Sequence, residues 1–175
     1  FIARSEKLQF DFGFQVKHLV QYSGMPGAKV TTLRRNLGAV SDFEPDILFL
    51  VIGTNDLYDP ANTPESVSAS ILDLVDTLLF MENVKYVIVC QVFHRTPTRH
   101  TRYPVDLDWF NSRVDRTNIL LNNAIDDLPI NKVKFWRCKG FWSIEAQSLA
   151  FSEDGVHLSG HGQQKFYANI RAALV

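Results

Sequence analysis

A histidine acts as a general base near neutral pH when one ring nitrogen is held and the other is presented to the proton it removes. Asp154-Gly155-Val156-His157 offers that arrangement, because a carboxylate three residues before an imidazole can reach one ring nitrogen and fix its tautomer. An aspartate capping the helix that follows, beside an incidental histidine, is the competing reading at this point. A second cluster, Gly53-Thr54-Asn55-Asp56, directly follows an apolar run. Asn and Asp compete with regular backbone hydrogen bonding. They stand there either as a plain turn or as polar groups delivered to a site. A third stretch, Ser23-Gly24-Met25-Pro26-Gly27, is a glycine-rich turn of the kind that lets backbone approach a ligand.

The elements that must position these residues follow from periodicity. Ile47-Leu48-Phe49-Leu50-Val51-Ile52, between Pro45-Asp46 and Gly53, is too short for a membrane span and predicts a strand buried on both faces of a parallel sheet. Val16 to Tyr22, Val84 to Val92 and Val133 to Trp136 predict further strands. Helices are predicted over 2–10, over 28–37 with Gly38 as the stop, over 63–81 with Pro64 at the first position, over 107–128 with Asn111 and Arg113 on the polar side, and over 158–175. Strands alternating with helices at these lengths predict a three-layer α/β/α sandwich with a parallel sheet. Its strands would deliver Gly24 to Gly27, Gly53 to Asp56, His94 to Tyr103 and Arg137 to Trp142 to one edge, where ligands bind in open α/β sheets.

At 175 residues the chain suits one domain with a sizeable core. Eighteen Lys and Arg nearly cancel nineteen Asp and Glu, so nucleic acid finds no support in the net charge. The basic stretch from His94 to Tyr103 leaves Arg95, Arg99 and Arg102 as the place for a weak contact with a phosphate backbone; a solvated loop is the simpler reading. Cys90 lies in an apolar run and forms no CxxC pair with Cys138, which mildly favours an intracellular setting. No metal site is expected. Cys90, His94 and His100 lack a fourth ligand, and His157 and His161 have helical spacing but no neighbouring Glu. Nor does any glycine-rich phosphate loop point to a nucleotide, so no cofactor is expected.

Taken in order, Gly27 in its turn, Gly53-Thr54-Asn55-Asp56 after a buried strand, and Asp154-Gly155-Val156-His157 before the terminal helix resemble the SGNH (GDSL-like) hydrolase family. The resemblance implies a flavodoxin-like α/β sandwich with a five-stranded parallel sheet and an acyl hydrolase that cleaves a small-molecule ester without metal or cofactor. It implies that His157 is the catalytic base, Asp154 its orienting acid, and Gly27 and Asn55 the oxyanion-hole donors. Such donors are each worth on the order of 3 kcal/mol in the barrier. Phe141 and Trp142, in a loop ahead of the histidine, are candidates to line an acyl pocket; packing accounts for aromatic residues there equally well.

The family's first block, Gly-Asp-Ser, is absent from this sequence, and Phe1-Ile2-Ala3-Arg4 resembles its continuation. The expectation is therefore a natural polypeptide that extends upstream, with the nucleophilic Ser just before Phe1. Residues 1–175 would then form one hydrolase-type domain, truncated at its N-terminus and lacking the strand beside Ile47 to Ile52. Ser5 has too few residues before it for a strand and elbow, and Ser23 and Ser152 suit turns or caps. The run from Arg34 to Ile47, together with Phe135-Trp136-Arg137 and Gly140-Phe141-Trp142, is similar to SGNH-type domains of invertebrate proteins and of retrotransposon first open reading frames. Within that setting the alternative function is a catalytically inactive interaction domain.

Overall fold

The computed structural model describes residues 8–16, 18–81, 83–97, 105–142 and 144–175. Its elements in chain order are α1 (Val30–Arg34), α2 (Gly38–Phe43), β1 (Ile47–Leu50), α3 (Thr54–Leu57), α4 (Pro64–Leu79), β2 (Tyr86–Cys90), α5 (Leu107–Asp126), β3 (Val133–Trp136), α6 (Ile144–Ala150) and α7 (Gly160–Ala173). The chain divides into two compact units, one of Met25–Arg95 and Pro104–Arg137, the other of Phe1–Gly24, Thr96–Tyr103 and Cys138–Val175.

The first unit holds a parallel three-stranded sheet in the order β1-β2-β3, with Leu50 opposite Val89 and Val89 opposite Phe135. Strand alternation turns Leu48, Leu50, Val87, Val89, Val133 and Phe135 to one face, where they join the core cluster. Two helices complete that core. Val67, Ile71, Leu74, Val75 and Leu78 of α4, and Phe110, Val114, Thr117, Leu121 and Ile125 of α5, recur at three- and four-residue spacing, and all are buried. The helices start where their caps dictate. Thr63 and Ser66 form a capping box ahead of Pro64, and the Asp106 carboxylate accepts the Trp109 N–H at 2.9 Å.

Past Gln91, whose N–H still bonds Trp136 C=O at 3.0 Å, the chain leaves the ladder, and α5 takes over as its partner. The Asn118 side-chain amide accepts from Val92 N–H at 2.8 Å and donates to Val92 C=O at 2.9 Å. Asn111 treats Arg95 the same way, at 2.9 and 3.0 Å. The spacing is commensurate: seven helical residues rise about 10.5 Å and three extended residues about 10 Å. Two amides on one helix face therefore meet the extended backbone in register.

In the second unit α6 and α7 pack together around Phe141, Phe151 and Phe166, whose rings meet edge to face at 6.5 and 6.4 Å. Asn169 repeats the amide clamp, accepting from Lys139 N–H at 2.7 Å and donating to Lys139 C=O at 3.1 Å.

Several expectations change. Residues 2–7 of the first predicted helix lie outside the described residues, and its end is a turn in which Phe12 N–H reaches Gln9 C=O. The stretch from Val16 to Tyr22 forms no strand among the described residues. It is held instead by the His18 ring, against the carbonyls of Val16 and Asp11, and by the Tyr22 hydroxyl, which donates to Phe10 C=O. Of the helix expected over 28–37 only Val30–Arg34 forms, because the Asn36 side chain donates back to Thr32 C=O and competes with the ladder, and Gly38 opens the separate helix α2 rather than ending α1. The apolar run is not buried on both faces: Ile47 of β1 is 40% and Val51, just past it, 49% exposed, and among the described residues no strand pairs with the outer edge of β1. Helix α6 forms where sequence periodicity marks no element. No helix among the described residues is long and apolar enough to cross a membrane.

Thr117 is fully buried between α5 and α4, and its hydroxyl finds no hydrogen-bond partner among the described residues. Thr117→Val replaces that hydroxyl with a methyl group of the same shape. It is expected to stabilise the fold by about 1 kcal/mol, read as a raised urea midpoint with an unchanged m-value.

Candidate active site

The Asp154–His157 pair is built by a short antiparallel closure. Ser159 N–H bonds Ala150 C=O at 2.9 Å, Phe151 and Leu158 form a bridge, and Ser152 N–H bonds His157 C=O at 2.7 Å. Inside this closure the chain reverses through Gly155, at φ +68°. The Thr96 N–H donates to the Gly155 carbonyl at 3.1 Å. Asp154 Oδ1 accepts three bonds, from the Val156 and His157 N–H groups, each at 2.9 Å, and from the Ser152 hydroxyl at 2.7 Å. That leaves Oδ2 to hold His157 Nδ1 at 2.7 Å. Burial works to raise Asp154, but the His157 backbone N–H and ring, the Val156 N–H and the Ser152 hydroxyl outweigh it and hold the carboxyl well below the usual range. The His157 side chain is 70% exposed. A carboxylate saturated on one oxygen and paired on the other fixes the tautomer and ring plane of an accessible imidazole.

Helix α7 anchors this loop. Ser159 caps it, accepting the Gly162 N–H at 3.1 Å. At Gly162 the helix passes so close to α6 that a Cβ would stand 1.9 Å from the Ala150 carbonyl oxygen. The distance between the two helices at this point, and with it the closure carrying Asp154 and His157, depends on the missing side chain.

The Gly27 turn and the Asn55 cluster come together in the other unit. Pro26 and Gly27 occupy the two central positions of a turn closed by Ala28 N–H to Met25 C=O at 3.2 Å, and Gly27 has the positive φ, +70°, that a type II turn requires. Gly53 follows β1 at φ +110°, where a Cβ would crowd Val92 and Ile71 at 3.1 and 3.3 Å, and starts α3. Asn55 Nδ2 then donates to Ala28 C=O at 3.0 Å, which ties α3 to the exit of the Gly27 turn. An amide nitrogen carries two hydrogens, so this bond leaves one for a ligand.

Asp56, next in sequence, is 6% exposed, and both of its oxygens face the Val30 N–H at 3.1 and 3.2 Å. Burial pushes its carboxyl up, against the opposing pull of the Val30 N–H and the Lys29 charge. Lys29 itself pairs with Asp59 at 2.8 Å. These groups border a polar cleft of about 230 Å³ that Thr31, Asn62 and Ser66 also line. Arg113 of α5 fastens the chain beyond α3, donating to the carbonyls of Leu57, Asp59 and Asn62. Sequence reasoning assigned no role to Asp56 or Arg113; the aspartate beside an amide right after a buried strand was the signal available for the first.

The remaining candidates are placed as follows. Phe141 is 3% exposed within the aromatic cluster of its unit, whereas Trp142 is 48% exposed; Gln147 Nε2 donates to both of their carbonyls. Arg95 is not a solvated loop residue. It is 6% exposed, with its guanidinium between the rings of Tyr58 and Phe110 at 4.7 and 4.6 Å. Aromatic faces suit a guanidinium, which is more weakly hydrated than an ammonium. Arg99, Arg102 and His100 lie outside the described residues, as does Ser5. His94 turns to Asp115 at 2.7 Å.

The profile of the GDSL-like lipase/acylhydrolase family matches residues 4–165. No curated protein matches the chain. Among solved structures, a carbohydrate esterase family 3 protein from Talaromyces cellulolyticus is similar at TM-score 0.66 and 20% identity, over 85% of this chain and 67% of that one. A GDSL-like lipase from Bacteroides thetaiotaomicron is similar at TM-score 0.65 and 19% identity, over 85% and 71%. Est24, a carbohydrate acetylesterase from Sinorhizobium meliloti, is similar at TM-score 0.64 and 21% identity, over 83% and 68%. At these identities the likeness is one of fold, an α/β architecture with a parallel sheet of the flavodoxin type.

Two outcomes follow for the histidine loop. In the unfolded chain Asp154 returns to about 3.9. Its folded value is lower, so the ionised carboxylate stabilises the native state above the unfolded value, and this contribution is lost as pH falls through the folded value. Asp154→Ala is therefore expected to lower the urea midpoint at neutral pH, and the gap from wild type should close on strong acidification. Gly162→Ala, which forces a methyl group against the Ala150 carbonyl, is expected to cost on the order of 1–3 kcal/mol in the same measurement.

Proposed function

Because this chain belongs to the GDSL-like lipase/acylhydrolase family, we propose that it hydrolyses a carboxylic ester through an acyl-enzyme, with His157 as the base. The observation that carries the proposal is the 2.7 Å bond from Asp154 Oδ2 to His157 Nδ1. With Nδ1 engaged, Nε2 is the nitrogen that exchanges protons with the reacting groups. The nucleophile in this reading is the serine of the family's first block, expected from sequence resemblance ahead of Phe1.

In the first half-reaction the serine hydroxyl adds to the ester carbonyl as His157 Nε2 takes its proton. The imidazolium this creates is stabilised by Asp154. Negative charge moves onto the former carbonyl oxygen, where the Gly27 N–H and the remaining Asn55 Nδ2–H are its donors. Collapse breaks the bond to the alcohol oxygen, which leaves with the proton from His157. Water then repeats the sequence: it adds to the acyl-enzyme while His157 accepts its proton, and collapse returns that proton to the serine and releases the carboxylic acid. None of these steps needs a cofactor.

Trp142 is the proposed contact for the acyl or alcohol part of the substrate, because its indole reaches the surface. Two of the similar structures carry names that denote action on carbohydrate esters. Short acyl esters of small polyols or sugars are therefore the substrate class to try first. The family match runs through both compact units, which supports reading residues 1–175 as one hydrolase domain.

The test uses a polypeptide that includes the first-block serine and a short-chain aryl ester. His157→Ala is expected to lower kcat/KM by about 10²- to 10⁴-fold, and Asn55→Ala to lower kcat by about 10²- to 10³-fold. Equal rates for wild type and His157→Ala would remove the histidine from the mechanism and favour a non-catalytic interaction domain.

A further inference from the structure

Among the described residues Asp56 is the one buried carboxylate, and its placement is costly. Taking a charge out of water is unfavourable unless it is well bonded, and a neutral Ser, Thr or Asn would suffice to accept a single N–H at a helix start. What Asp56 accepts is the Val30 N–H, three residues beyond Gly27, on both oxygens. The residue before it, Asn55, donates to the Ala28 carbonyl, one residue beyond Gly27. Two consecutive side chains of α3 thus grip two adjacent peptide groups at the exit of the Gly27 turn, one as donor and one as acceptor. The pair cannot satisfy both bonds if the turn shifts along its own path or rotates about it.

A hinge-like freedom would otherwise exist here. Gly27 sits at φ +70° with no atom within 4 Å of the position a Cβ would take, so no packing restrains the turn from that side. Helix α1 has only five residues and lacks a side-chain cap from its own N-cap residue, Lys29, whose ammonium is committed to Asp59. Besides the burial of Val30 in the core, the Asn55–Asp56 grip is what restrains the direction of the Gly27 turn. Arg113 and Asn62 hold the far side of the same segment, through the Leu57 and Asp59 carbonyls and the Asp56 carbonyl.

We propose that Asp56 is a positioning residue of the oxyanion hole: through the Val30 N–H it registers the Gly27 turn against Asn55, so that the two donors converge on one oxygen. The inference rests on the assignment of Gly27 and Asn55 as donors made above. Asp56 touches neither substrate nor reacting atoms. Its effect on rate arises because misplacing a group by about 1 Å can cost about 10²-fold.

The experiment compares Asp56→Asn, Asp56→Ala, Asn55→Ala and the Asn55→Ala/Asp56→Ala double variant, each in a polypeptide that includes the first-block serine. A short-chain aryl ester is assayed below the melting temperature of every variant. Asp56→Ala is expected to lower kcat by about 10- to 10²-fold with KM within about twofold of wild type. Asp56→Asn, which keeps an acceptor oxygen for Val30, should recover most of the loss. In the double variant the two effects should be strongly non-additive, because without Asn55 no second donor remains for the Gly27 turn to be registered against. Ile125→Ala, a core truncation in the last turn of α5, controls for stability alone and should leave kcat intact. Additive effects, or a folded Asp56→Ala with wild-type kcat while Asn55→Ala is impaired, overturn this inference and leave the reading of the site standing. If Asp56→Ala does not fold, Asp56→Leu, which fills the site without offering Val30 N–H an acceptor, and its combination with Asn55→Ala decide by the same criteria. An inactive wild type, or an unimpaired Asn55→Ala, overturns both.

Discussion

The interaction on which the rest of the structure depends is a side-chain amide bonded to both polar groups of one backbone residue. β2 and β3 are short, and each ends before the chain reaches the residues of interest. Beyond a strand end the backbone still carries donors and acceptors that must be paired when buried. Asn118 and Asn111 pair those of Val92 and Arg95, and Asn169 pairs those of Lys139. Asn55 makes a one-sided version with the Ala28 carbonyl. An amide can do this because it presents a donor and an acceptor in one plane, as a peptide does. The result is a loop whose backbone groups are paired as those of a strand are.

This arrangement divides the work between helices and strands. The strands supply direction: because β1, β2 and β3 run parallel, Leu50, Cys90 and Trp136 end at one edge of the sheet. The helices supply position, through polar residues on faces that periodicity alone marks as solvent-facing. In the histidine loop the same logic operates at shorter range, where the Asp154 carboxylate collects two backbone N–H groups and a hydroxyl before it engages the imidazole. Rigid support around an accessible ring is what acid–base chemistry needs, since reorganisation during proton transfer raises the barrier.

Local patterns were legible in the sequence and distant ones were not. The Asp154–His157 contact spans three residues, so spacing alone suggested it, and the α4 and α5 stripes matched the helices found because apolar periodicity decides burial. Asn111 and Arg113 were read as the polar side of α5; that side turned out to bind backbone many residues away. For Arg95 the net charge favours a solvated loop, yet Tyr58 and Phe110 enclose it, and nothing near position 95 announces two rings from α5 and the end of α3. The strand expected from Val16 to Tyr22 had acceptable alternation but no partner among the described residues, which illustrates that a strand is a property of pairs. The apolar run at Ile47 implied two covered faces, whereas the exposure of Ile47 and Val51 shows that hydrophobicity reports what a segment can bury rather than what covers it.

The amide clamps also have a chemical lifetime. Deamidation replaces Nδ2 with an oxygen, and at Asn118 or Asn169 that would turn a donor into a carboxylate facing the carbonyl of Val92 or Lys139. Attraction becomes repulsion without any change in shape. Deamidation proceeds by attack of the following backbone nitrogen on the side-chain carbonyl, a geometry that the helical conformation of α5 and α7 disfavours. Mounting the amides on helices therefore protects the same bonds against ageing that it orients.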